Sequence, residues 1–163
     1  MTRSAIFSVM FLAMVLVGCE GARFPLSSPD VAVADTTLNG YWEMISDDDE
    51  PADVLIATFD DHQYYVEMET EDDVPQRMRA FTSEFAGLTF VNLSCVACTD
   101  DEQDWLFMGM ERVGEDLVLH PLLDSHYKNA LAELSDQGAV RDYVRHHAEA
   151  GTLFDKPLRL IRR

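Results

Sequence analysis

Cys95-Val96-Ala97-Cys98 is the stretch whose residue types and spacing come closest to chemistry. Two thiols at this spacing can close a small ring, cycle between dithiol and disulfide, or give zinc half of its ligands. Redox cycling needs one thiol stabilised as thiolate, typically at the start of a helix that follows a strand. Thr99–Asp104 is too short and too acidic for that helix, and its carboxylates would raise a thiol pKa. Zinc would want two further nitrogen or sulfur ligands; His120, His126, His146 and His147 could supply them, but no spacing among them demands it. The choice between ring and metal turns on the compartment.

Other chemistry finds little support. The acidic runs Asp47–Glu50 and Asp100–Glu102 lack the Asp-x-Asp-x-Asp-Gly spacing of a calcium loop and read as solvated connections. There is no Gly-x-Ser-x-Gly elbow, no His-Glu-x-x-His and no glycine-rich phosphate loop. No catalytic residue, metal or cofactor is assigned on this basis, and a non-catalytic role is expected. The chain holds 30 Asp and Glu against 12 Lys and Arg, a net charge of −18. So acidic a protein repels phosphate backbones, which excludes nucleic acid as a partner. The charge is uneven: Glu43–Asp104 is crowded with carboxylates and has only Arg77 and Arg79, whereas the bases gather in Arg141–Arg163. A basic last element lying beside acidic strands would balance this.

The N-terminus supplies the compartment. Arg3 precedes Ala5–Val17, an apolar run broken only by Ser8, which falls short of the ~20 residues that span a bilayer. It ends in Leu16-Val17-Gly18-Cys19, which resembles the lipobox of bacterial lipoproteins. That resemblance, confined to the first 19 residues, implies a signal peptide over 1–18, cleavage before Cys19 and palmitate-type acylation of that cysteine. By the sorting rule of similar lipoproteins, Glu20 in place of Asp implies the outer membrane, facing the periplasm. Exported and with Cys19 acylated, the chain keeps Cys95 and Cys98, for which an oxidising compartment implies a disulfide. So small a ring would add on the order of 1–2 kcal/mol and hold the Ser94–Gln103 loop in shape.

The elements that must carry these residues are mostly strands. Glu20–Thr37, with Pro25, Pro29, Ser27 and Ser28, reads as a flexible tether for a domain over 38–163. Strands are expected at Gly40–Ile45, Val54–Phe59, Gln63–Thr70, Arg77–Phe85, Leu88–Leu93, Trp105–Arg112, Leu117–Leu122 and Leu158–Ile161. The period changes at Tyr127, Leu131 and Leu134, and again at Val140, Tyr143, Val144 and His147, which predicts one or two helices. Asp124 or Ser125 could cap the first, and Asp136 the second. Eight strands in meander order can close an antiparallel barrel. Leu38-Asn39-Gly40-Tyr41-Trp42 resembles the Gly-x-Trp signature of lipocalins, which implies that Trp42 plugs one end; the helices before the last strand depart from that family. The layout is also similar to small lipocalin-like bacterial lipoproteins of unassigned activity.

Together these readings predict a membrane-anchored binding module whose barrel holds an apolar or amphipathic small molecule. Trp42, Phe59, Tyr64, Val66, Met68, Phe81, Phe90, Trp105, Phe107 and Leu119 are the candidate cavity residues. The alternative is an envelope interaction module that docks a protein through its acidic face or helical segment.

Overall fold

The computed structural model describes residues 21–47, 50–70, 74–96 and 104–163. Its strands are β1 (Gly40–Ile45), β2 (Ala52–Thr58), β3 (Tyr64–Glu69), β4 (Gln76–Phe85), β5 (Leu88–Cys95), β6 (Trp105–Val113), β7 (Asp116–Pro121) and β8 (Leu158–Arg162). Each pairs antiparallel with the next, and β8 returns to β1, so the eight strands form a closed barrel. Closure leaves no unpaired edge. The barrel expected from the sequence is therefore present, with two short helices before its last strand.

Alternation fixes the inner face. In β3, Tyr64, Val66 and Met68 point inward and Tyr65, Glu67 and Glu69 outward; the register Tyr64↔Ala80 and Val66↔Met78 carries that parity into β4. It continues through Leu93↔Leu106, Met110↔Leu119 and Leu117↔Leu160 to Met44 on β1. Two-residue turns at Ala86-Gly87 and Gly114-Glu115 close the tight hairpins, with Ala86, Gly87 and Gly114 all at positive φ.

Between β7 and β8 lie α1 (Asp124–Asn129), a 3₁₀ turn (Leu131–Glu133) and α2 (Gln137–Glu149). Asp136 caps α2 by accepting from the Ala139 amide at 2.9 Å. Neither Asp124 nor Ser125 caps α1: the cap position is Leu123, without a side-chain bond, and its amide donates to Leu153 O at 3.0 Å. Val140 and Val144 are buried on one face of α2, with Tyr143 and His147 half-buried beside them, while His146 faces solvent.

Residues 21–37 do not behave as a free tether. Ala22 and Trp105 exchange backbone bonds of 2.9 and 2.8 Å, and Ala22 and Leu26 are fully buried. Two one-turn 3₁₀ segments, Pro29–Val31 and Thr36–Leu38, bring the chain along the wall to β1. The sequence pattern misled because Ala22 and Leu26 are few, but each finds a complete seat.

These elements enclose two separate cores. One is the barrel interior, built on Trp42, Val54, Tyr64, Met78, Leu93, Leu117 and Leu160. The other lies outside the barrel, where Phe85, Phe90 and Phe107 on the outer face of β4–β6 are covered by Tyr127, Leu131, Val140, Val144 and Leu153, with Ala22 and Leu26 of the N-terminal segment.

Candidate functional site

The barrel interior is not filled. A cavity of about 120 Å³ runs inside it, bounded by apolar atoms throughout. All eight strands contribute, together with Leu38. Met44, Met68, Met78, Met108 and Met110 are on this wall, interleaved with Ile56, Val66, Val91, Leu106, Leu119 and Leu158. Methionine is unbranched and has three rotatable bonds, so a wall rich in it can reshape around an apolar guest. Ile56, Val66, Met68, Met108, Met110 and Leu119 are only half-buried although they point inward, because they border this space.

One end is plugged. Trp42 is buried there beside Leu38, and its Nε1 donates to Leu38 O at 3.1 Å. The Arg162 guanidinium lies 4.3 Å above the Trp42 ring and donates to the carbonyls of Asn39 and Thr37. Tyr64 reaches the same end: its hydroxyl takes the Asp35 amide hydrogen bond, and burial pushes its pKa up. Arg112 binds Asp35 at 3.2 Å and Thr37 Oγ1 at 2.9 Å. Hydrogen bonds from Thr37, then the Arg112 charge, hold the Asp35 carboxyl below its ordinary range. The connections β1–β2, β3–β4, β5–β6 and β7–β8 all leave from the opposite end, hereafter the loop end.

Of the ten candidate residues, Tyr64, Val66, Met68 and Leu119 line the cavity. Trp42 belongs to the plug. Five are placed elsewhere. Phe59 is 54 % exposed in the β2–β3 turn, with Arg79 stacked 3.1 Å over its ring. Phe81, Phe90, Trp105 and Phe107 face outward: Phe81 meets Trp105 edge-on at 5.5 Å, and Phe90 and Phe107 lie under the helices. The reason is burial on both faces. Where a strand is covered on each side, alternation no longer separates inside from outside, and the larger aromatics fall on the parity opposite to Met78, Val91, Leu106 and Met108. Sequence reasoning missed Met44, Met78, Met108 and Met110. Gly109 was the available signal: a Cβ there would stand 3.0 Å from the Phe154 ring, so the outer face at that position is covered.

The polar groups of the outer core are satisfied in pairs. Tyr127 OH, whose burial pushes its pKa far up, accepts from the Phe107 amide at 2.7 Å. Asn92, fully buried, accepts from the Leu26 amide at 2.9 Å and donates to Ser83 Oγ at 2.7 Å. Both ring nitrogens of His126 are engaged, Nδ1 with Tyr143 OH and Nε2 with Thr152 O, each at 2.8 Å. His147 packs against His126 and Tyr143, and His120 against Phe154. Among the described residues no group of three or more His, Cys, Asp or Glu could hold a metal ion. Cys95 ends β5; Cys98 lies outside the described residues, as do residues 1–18 and Cys19.

On the charge asymmetry, β8 and the residue after it lie where the balance requires them: Arg159 binds Asp116 at 2.7 Å, and Arg163 binds Glu43 at 2.9 Å and Asp53 at 2.8 Å. Compared with protein-family models, curated proteins and solved structures, the chain matches none of them.

Proposed function

We propose that this is a lipid-anchored, non-catalytic envelope protein that holds one apolar or amphipathic small molecule inside its barrel. The cavity carries the reading: an apolar, methionine-rich space lined by every strand, where a packed barrel would have closed on itself. Acylation of Cys19, an outer-membrane location facing the periplasm and a Cys95–Cys98 disulfide complete the reading, on the leader and cysteine pattern described above. Cys95 ends β5, so a bond to Cys98 would close the start of the β5–β6 connection.

Uptake of a neutral apolar fluorophore tests the cavity. One probe should bind per chain and be displaced by long-chain fatty acid or alcohol. Val66→Trp, which fills the space, should abolish uptake, and Phe59→Ala should leave it unchanged. Unsaturable uptake, or uptake indifferent to Val66→Trp, overturns the reading.

The docking alternative is less well supported. The carboxylates Asp116, Glu43 and Asp53 already have arginine partners, Arg159 on β8 and Arg163 just after it, and α2 spends its apolar face on the outer core.

A further inference from the structure

We propose that the guest is a free single-chain compound that puts the end of one unbranched alkyl chain, about five or six carbons, into the barrel. This rests on the binding reading above and names the chemistry that the cavity selects.

The cavity is long for its volume. Met78, Ala80 and Thr82 on β4, and Leu106, Met108 and Met110 on β6, are successive inward positions running from the loop end toward the plug. Each row covers about 10 Å along the barrel axis at the usual strand tilt. A volume of about 120 Å³ drawn out over that length is a channel and not a chamber. A channel takes a flexible chain and turns away a branched or ringed skeleton of the same carbon count.

Volume sets how much of the chain enters. An apolar cavity of about 150 Å³ takes up benzene, so this one has room for about five or six carbons.

Polarity excludes a head group. No polar atom faces the space, and the Tyr64 hydroxyl at its plugged end is already bonded to the Asp35 amide. A hydroxyl or carboxylate drawn inside would lose its water and find no partner. A longer guest therefore keeps the rest of its chain, and its head, outside. A second chain, as in a phospholipid, would be left in water by a channel already filled.

The wall suits such a guest. All five methionines of residues 20–163 line this cavity, and the outer core has none. Their unbranched side chains, with three rotatable bonds, can follow an alkyl chain through its bends as stiff Val or Ile cannot.

The test uses the full chain with the neutral apolar fluorophore bound, displaced by 1-alkanols from butanol to decanol. Affinity should rise about fourfold for each added CH₂ up to about hexanol, then level off. The branched isomer 3,3-dimethylbutan-1-ol should bind at least about tenfold more weakly than hexanol. Hexane-1,6-diol, which must bury its far hydroxyl, should also lose at least about tenfold. Met108→Ala, which clears most of that side chain from the wall, should move the break about two carbons further. Partial unfolding would instead weaken every alkanol alike. Dihexanoyl phosphatidylcholine, kept monomeric, should displace no better than hexanol.

A fluorophore that does not bind overturns the cavity reading and this proposal with it. With binding intact, a climb that runs unbroken to decanol overturns the stated capacity. Equal affinity for hexanol and its branched isomer overturns the channel. A diol that binds like hexanol overturns the exclusion of polar groups, and stronger displacement by the phospholipid overturns the single-chain choice. A break that Met108→Ala leaves in place puts the chain outside the barrel, against the proposal.

Discussion

The two cores of this protein are built from the same strands and differ in how well they are filled. On the outer face of β4–β6, Phe85, Phe90 and Phe107 are locked under helices, with ring contacts of 6.3 Å between Phe85 and Phe90 and 6.4 Å between Phe107 and Tyr127. Inside the barrel, aliphatic and methionine side chains surround unoccupied space. Void lining forfeits dispersion contacts that close packing would provide. The outer core therefore carries stability, and the inner one trades some of it for capacity. The difference teaches where to look for function: in the core that is apolar without being full.

Mutations should expose that division. The largest loss is expected for Phe90→Ala, about 3–5 kcal/mol, since a fully buried ring leaves a cavity its neighbours cannot close. Denaturant melts read it directly. Trp42→Ala should cost as much by removing the plug, and Tyr41→Ala, at a position 66 % exposed on the same strand, far less. Equal small losses at Trp42 and Tyr41 would show that the end is not plugged.

Tyr127→Phe should follow at about 1–3 kcal/mol, because the Phe107 amide would be left buried without its acceptor. Met108→Ala should cost less than about 2 kcal/mol, since that side chain already borders open space, and should raise probe uptake. A loss there as large as for Phe90 would erase the contrast between the cores.

The smallest effect concerns pH. Burial first, then the neighbouring His126 and His146, lower the His147 pKa below its ordinary 6.5. The unfolded chain binds the proton more readily, so this contribution is complete above about pH 6.5 and is lost as pH falls through the lower folded value. His147→Gln should flatten the slope of stability against pH in that window, as thermal melts would show.

The barrel itself was legible because its hairpins and period-two strands are local signals. Tyr64, Val66 and Met68 alternate with charged or half-exposed neighbours, so their inward direction could be read. Phe90 and Phe107 could not be placed that way: their strands are covered on both sides, and only the register with β4 and β7 decides which parity faces the axis. The seating of residues 21–37 was hidden for a different reason. Its partners Asn92, Trp105, Gln137 and Arg141 are remote in sequence, and nothing in Pro25 or Ser27 announces them.

That remoteness has a kinetic side. The Leu26 amide must wait for Asn92, the Pro25 carbonyl for Gln137, and Trp42 for Arg162. Contacts this distant along the chain are slow to form, because loop closure is paid before they return anything. Residues 22–26 are thus among the last to settle. Amide exchange at Ala22 and Leu26 should gain protection only after the β4–β5 hairpin is protected, so this segment would report completion of the whole fold.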